Sequence, residues 1–258
     1  MLRRRLLQVN KGKYVDNGLV VWYDGKNNLQ GGGYSTTTTY WYPYVAENTD
    51  ILNNCYLEKN GSPTWLTNGG FNDPSSSSTN NYFQNNSSIV FTSKTTAITD
   101  FTWIIHVNVE KSDLENLNQT LRFLGESFSG YDGAGRYILE CKENGSSFGM
   151  SQNTGSAWIE SKVSGNSTPN VIRTVAFVRS GSTLTVYING QLFGSTDCPR
   201  IALINNSNET FVLAGYDSPT NNYNDRAFKG DFYGCVCYRR ALSETEVKNM
   251  TDYLEDRY

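Results

Sequence analysis

Two stretches near the end of the 258-residue chain restrict its fold more than any others. The first runs from Arg173-Thr-Val-Ala-Phe-Val-Arg179 through Ser-Gly-Ser to Thr183-Leu-Thr-Val-Tyr-Ile-Asn-Gly190. Its two apolar-polar alternating halves flank a Gly-centred turn. Alternation with period two puts every second side chain on one face of a strand, so the segment reads as a β-hairpin. Asn189-Gly190 then reverses the chain again. The second stretch, Phe228–Val247, reads as a buried strand that runs into a short helix. Ser243 with Glu246 three residues on makes a capping box, and Leu242 and Val247 occupy staple positions. Val247, Met250 and Leu254 fall on one helical face.

Upstream, strand signals recur at intervals near 10 residues with polar turns between them. They are Ser88–Phe91, Phe101–Val109, Thr120–Leu124, Arg136–Cys141, Ser147–Met150, Ala157–Glu160, Gln191–Gly194 and Thr210–Leu213. Phe101, Trp103, Ile105, Val107 and Val109 share one parity and should face a core. Many short strands without interspersed helices mean a sandwich or barrel. Only 18% of residues are charged and the net charge is −3, so nothing favours a nucleic-acid backbone as partner. Cys55, Cys141, Cys198, Cys235 and Cys237 are odd in number and scattered, which fits buried thiols better than disulfides. With a single histidine and no Cys-x-x-Cys, a zinc site lacks ligands.

Gly18-Leu-Val-Val-Trp-Tyr-Asp24 adds an apolar first strand that ends in an Asp-Gly turn. Together with the hairpin and the strand-to-capped-helix ending, it resembles the laminin G-like, concanavalin A-like jelly rolls. The resemblance covers residues 18–24 weakly and 88–250 well. It implies an all-β fold: a concanavalin A-like jelly-roll sandwich of two antiparallel sheets with a short C-terminal helix. Residues 1–17 read as a docking arm whose Arg3, Arg4 and Arg5 would meet an acidic neighbour in an assembly, the alternative being that they are simply solvated. Residues 18–258 form the jelly roll, with a long polar loop insertion at about 25–87. The first ten residues carry the charge of a signal peptide around only a Leu-Leu pair, where about 7–15 apolar residues are needed, so we expect no export by that route.

Chemistry is sparse in the sequence. Laminarinase-type glycosidases of this fold carry Glu-x-Asp-x-x-Glu, because i and i+2 on a strand point the same way. No Glu-x-Asp occurs here; Asp113-Leu-Glu115 is an inversion of it, and Glu140 and Glu143 have the wrong spacing. His106 has the opposite parity to the apolar set and reads as structural. Gly145-Ser-Ser-Phe-Gly149 matches a nucleophile-elbow pattern but no helix follows it. The resemblance brings calcium into view at Asp24 with Asn27, or at Asp217 with Asn221 and Asp225, although Asx residues in Gly-rich loops are chiefly turn formers. We expect no resident cofactor. Trp41, Tyr42, Tyr44 and Trp65 lie in the polar insertion, where aromatic rings could stack on sugar faces; their alternative is a satellite cluster under the loops. Tyr216 and Tyr223 are a second candidate pair.

The expectation drawn from resemblance and composition is a non-enzymatic virion protein of a tailed bacteriophage, made in the host cytoplasm. Its jelly roll would touch host-surface glycans and its arm would bind other virion proteins in a homo-oligomeric or larger assembly, without nucleic acid or membrane as partners. The alternatives are a bacterial surface or polysaccharide-active enzyme module and a ligand-free capsid or tail cement protein.

Overall fold

Every strand expected from Phe101 onward forms in the computed structural model. It describes residues 14–73, 81–85, 100–115, 120–128, 137–142, 145–153, 157–165, 168–198, 209–215 and 228–258. The expected strand at Ser88–Phe91 lies outside them. The order begins β1 (Leu19–Asp24), β2 (Tyr40–Trp41), β3 (Val45–Ala46), α1 (Thr49–Asn54), β4 (Leu57–Asn60), β5 (Thr64–Trp65), β6 (Phe71–Asp73) and β7 (Tyr82–Asn85). It continues with β8 (Phe101–Glu110), α2 (Lys111–Glu115), β9 (Leu121–Phe128), β10 (Tyr137–Lys142), β11 (Ser147–Asn153) and β12 (Trp158–Ser164). The last elements are β13 (Val171–Ser180), β14 (Thr183–Ile188), β15 (Gln191–Asp197), β16 (Glu209–Leu213), β17 (Gly230–Tyr238) and α3 (Glu244–Glu255).

Two antiparallel sheets face each other. Among the described residues, sheet A runs β15-β14-β13-β8-β17-β1-β3, with β6 and β5 attached beside β17. Sheet B runs β12-β11-β10-β9-β16-β7-β4-β2. The expected parity of β8 holds: Phe101, Trp103, Ile105, Val107 and Val109 enter the inter-sheet core with Leu139, Phe148 and Phe211. The hairpin also forms as read. Asn189 and Gly190 both take positive φ, 50° and 72°, as the tight reversal requires. The Asn189 side chain ties the turn to β13, accepting from Arg173 N at 2.7 Å and donating to Val171 O at 2.8 Å. All five cysteines are buried and unbridged, and burial pushes the Cys141 thiol up to about 12.

The outward parity of His106 left solvent or a second layer open, and the structure shows the second layer: β8 is covered on both sides. Thr102, Ile104 and His106, on its outward parity, are buried as well. The cover is α3, which lays Val247, Met250 and Leu254 on Trp22, Ile104, Ala176, Val236 and Tyr238. Twelve residues make a marginal helix in isolation, whereas each buried apolar side chain contributes about 1.5–3 kcal/mol; docking therefore decides its stability. The capping box is complete, with Ser243 Oγ accepting from Glu246 N and Glu246 Oε2 accepting from Ser243 N at 2.9 Å. Thr102 fixes the helix entry by donating to Arg240 O and accepting from Leu242 N, both at 2.9 Å.

The helix exit is fixed by Asp24, which is fully buried. Its carboxylate receives Arg257 Nε at 3.1 Å, Arg257 Nη2, the Tyr258 hydroxyl at 2.6 Å and Asn27 Nδ2 at 2.5 Å. Arg257 in turn lies over the rings of Trp22 and Tyr44, 5.5 and 5.3 Å from their centroids. His106 sits beneath this lock, 5.0 Å from both the Tyr233 and Tyr258 rings. Burial, with Arg173 nearby, pushes its pKa down from 6.5 to about 3.

Two outcomes follow. Arg257→Met strands a buried carboxylate and should cost about 3–5 kcal/mol in urea unfolding; adding Asp24→Asn should recover much of it, and simple additivity of the two losses would refute the pairing. For His106, the unfolded chain takes up a proton below pH 6.5 that the folded chain refuses until pH 3. The histidine's contribution is thus intact above pH 6.5 and is lost as pH falls towards 3. Between pH 7 and 5 the native protein should lose about 2 kcal/mol more than His106→Phe; equal losses would contradict the assignment.

Candidate functional site

With the outer face of sheet A closed by α3, attention falls on the outer face of sheet B. On β10, Tyr137, Leu139 and Cys141 point into the core, so Glu140 and Lys142 point out. Arg122 of β9 is the cross-strand partner of Glu140. On β12, Val163 and Ser161 are buried while Trp158, Glu160, Lys162 and Ser164 are exposed. These strands gather an indole, two carboxylates and three cations on one face.

Their geometry is tightly coupled. Lys142 Nζ lies 3.0 Å from Glu140 Oε1 and also bonds Glu160 Oε1. Ser151 Oγ donates to Glu140, and Arg122 Nε lies 3.7 Å from its other oxygen. Lys162 Nζ lies 3.4 Å from Glu160 Oε2. Gly149, between Glu140 and Lys162 in register, leaves the floor bare: a Cβ there would collide with the Ser161 carbonyl oxygen and come within 3.2 Å of Lys162 Cα. The result is a shallow depression, open to solvent, lined by Glu140, Lys142, Ser147, Ser151, Glu160 and Lys162 among others. The Ser147 hydroxyl on its lining is buried without a hydrogen-bond partner. Trp158, 40% exposed, stands two residues from Glu160 on the same strand face.

The sequence shows no carboxylate pair, but the fold makes one: Glu140 and Glu160 meet across one lysine. A retaining enzyme needs one carboxyl held protonated as the acid. Here the hydrogen bond from Lys142 holds Glu160 below the usual 4.5. No triad assembles either. Ser147 opens β11, while His106 lies on the outer face of the other sheet.

Several expected site residues fall elsewhere. Trp41 and Trp65 are core residues, 0% and 5% exposed, packed 5.5 Å apart with Phe71 and Phe83. Their indole N–H groups donate to Asp24 O at 3.2 Å and Thr38 O at 2.7 Å, so they offer no face to a sugar. Tyr44 is half-buried in the Arg257 anchor against Trp22. Tyr42 alone of the four keeps a surface position, clustered with Tyr40 and Tyr56. The Asp24–Asn27 calcium candidate is corrected too, because Arg257, Tyr258 and Asn27 fill that carboxylate with donors. Arg3, Arg4, Arg5, Tyr216, Tyr223 and the Asp217, Asn221 and Asp225 set lie outside the described residues. Among the described residues, no group of three His, Cys, Asp or Glu could hold a metal, and no helix is long and apolar enough to cross a membrane.

Sequence reasoning missed Trp158. The signal was available: in Trp158-Ile-Glu-Ser-Lys-Val-Ser164 the indole shares its parity with Glu160 and Lys162, not with Val163. An aromatic ring on the charged parity of a strand marks a surface platform.

The fold agrees with relationships to known proteins. Residues 79–248 match the model of the concanavalin A-like lectin/glucanases superfamily, and the chain belongs to that family. No curated protein sequence matches it. Among solved structures it resembles a sialidase of Trypanosoma rangeli, with a TM-score of 0.58 and 15% identity, over 94% of this chain and 33% of that one. It also resembles the binding domain of botulinum neurotoxin DC, solved with rat synaptotagmin II. There the TM-score is 0.61 and the identity 12%, over 92% of this chain and 52% of that one. The chain thus spans about a third of the sialidase's length, and its fold relatives include an enzyme and a toxin binding domain.

If the Lys142 hydrogen bond is what lowers Glu160, Lys142→Met should raise the Glu160 pKa towards or above 4.5. A carboxyl-detected NMR titration measures it; an unmoved Glu160 would refute the coupling.

Proposed function

We propose that this chain is a non-enzymatic carbohydrate-binding jelly roll whose glycan contact is the outer face of β10, β11 and β12. The carrying observation is the exposed Trp158 indole beside a depression lined with carboxylates, ammonium groups and hydroxyls. A sugar presents an apolar C–H face and a ring of hydroxyls; an aromatic platform with flanking donors and acceptors answers both. Glu160 accepts from hydroxyls and Lys162 donates to them. Both carboxylates are bonded to a lysine, which favours binding over acid catalysis. The family's lectin members and the sialidase resemblance are consistent with a sugar ligand.

The finer setting rests on sequence resemblance. In that reading the domain is a virion component of a tailed bacteriophage, docked through Arg3, Arg4 and Arg5, and it meets glycans on the host surface. A polysaccharide-active enzyme module is the competing reading, disfavoured by the Lys142 bridge.

A glycan-array screen followed by calorimetry on the best ligand tests the proposal. Trp158→Ala should weaken binding by roughly tenfold or more, the loss of one stacking contact of about 1–2 kcal/mol, without releasing reducing ends from the glycan in either form. Retained affinity in Trp158→Ala, no ligand for the native chain, or hydrolysis abolished by Glu160→Gln would each overturn it.

A further inference from the structure

At the opposite edge of sheet B, with six strands between its edge strand β2 and the β12 strand of Trp158, lies a second cluster with different chemistry. Tyr40, Tyr42 and Tyr56 pack ring against ring. Tyr40 and Tyr56 meet edge to face at 5.2 Å, Tyr42 and Tyr56 at 5.4 Å, and Tyr40 and Tyr42 at 6.4 Å. Tyr40 and Tyr56 remain 37% and 39% exposed. The inward neighbours Trp41 and Leu57 anchor the two strands in the core, which holds the outward tyrosines in place.

Glu58 completes the group. It pairs directly with Tyr40 across β2 and β4, so the two side chains share a face, and it follows Tyr56 by two residues. Lys59 has the other parity and reaches Pro63 O. Among the described residues, Glu58 has no ion-pair partner and the three phenol hydroxyls have no hydrogen-bond partner. The cluster therefore offers electron-rich rings and one uncompensated negative charge, with no cation of its own. Trp158's depression, by contrast, carries donors and acceptors in balance. A metal ion would find a single carboxylate here, too few ligands for a hard cation.

We infer that the Tyr40–Tyr42–Tyr56–Glu58 cluster binds a soft organic monocation of the quaternary ammonium class, a choline-type group. Such a cation has no hydrogen bonds to satisfy. Its methyl groups pack on aromatic faces while its charge is drawn to the ring quadrupoles and to the carboxylate. This site is independent of the glycan face and stands whether or not that reading holds.

The test is a titration of the full chain with choline chloride, followed by tyrosine ring NMR, beside its uncharged carbon isostere 3,3-dimethyl-1-butanol. Choline should give a saturable shift confined to these rings, roughly tenfold tighter than the isostere. Tyr56→Ala should abolish the response and Glu58→Gln should weaken it by roughly three- to tenfold; both positions are exposed, and unchanged spectra elsewhere confirm folding. Co-sedimentation with phosphatidylcholine vesicles alongside a choline response would assign the cation to lipid headgroups. A choline response without sedimentation would assign it to soluble or polymer-borne choline. No saturable response to choline, or equal binding of the neutral isostere, would overturn the inference.

Discussion

One fully buried carboxylate governs which surfaces of this sandwich are available. Asp24 ends the first strand, and Arg257 and Tyr258, more than 230 residues later in sequence, close on it. A charge in that position is costly to desolvate unless it is paired and its remaining lone pairs are filled. The guanidinium, the phenol and Asn27 supply both. Because Arg257 also rests on Trp22 and Tyr44, the lock holds the end of α3 against sheet A. Thr102 and the Ser243 capping box hold its start. A sandwich has two inner faces for its core and two outer faces; here one outer face is consumed by the helix.

The remaining outer face, on sheet B, is where polar chemistry collects. Glu140 is only 3% exposed although it points away from the core, which works because Ser151 and Lys142 meet its charge. The same lysine bonds Glu160, so the two acids are tied to one cation and to each other's position. That arrangement makes a pre-formed, rigid polar floor, and Gly149 keeps it uncovered. Preorganised polar groups beside an aromatic ring bind a polyol with little ordering cost. The same lysine lowers the Glu160 pKa, away from the protonated acid that a hydrolase requires. The superfamily includes enzymes and lectins, and the lectin is the reading proposed above.

Much of the fold was legible because its signals are local. The Asn189-Gly190 reversal, the Ser243–Glu246 box and the alternation of Phe101–Val109 each specify their geometry within a few residues. The candidate site was less legible because it is assembled from distant strands. Glu140 and Glu160 lie on β10 and β12, and no spacing rule within one strand could pair them. The reverse error befell Trp41 and Trp65. They lie in two-residue strands inside a polar stretch, and only their pairing with Leu57 and Phe71 turns them inward. Composition reads that stretch as a long loop insertion broken by short strands around Cys55–Leu57 and Thr64–Leu66; residues 40–73 and 81–85 in fact add six strands, β2 to β7, to the two sheets. Trp158 shows the complementary lesson, since parity within its own strand marks it as a surface ring although the sequence reading passed over it.

Hydrogen–deuterium exchange, with and without a saturating glycan, tests most directly which face does the binding. The account predicts slowed exchange in the amides of β11 and β12, with those of β1, β17 and α3 unchanged. Protection centred on β1, β17 and α3 instead would mean that the helix-covered face meets the ligand, and the division of the sandwich argued here would be wrong.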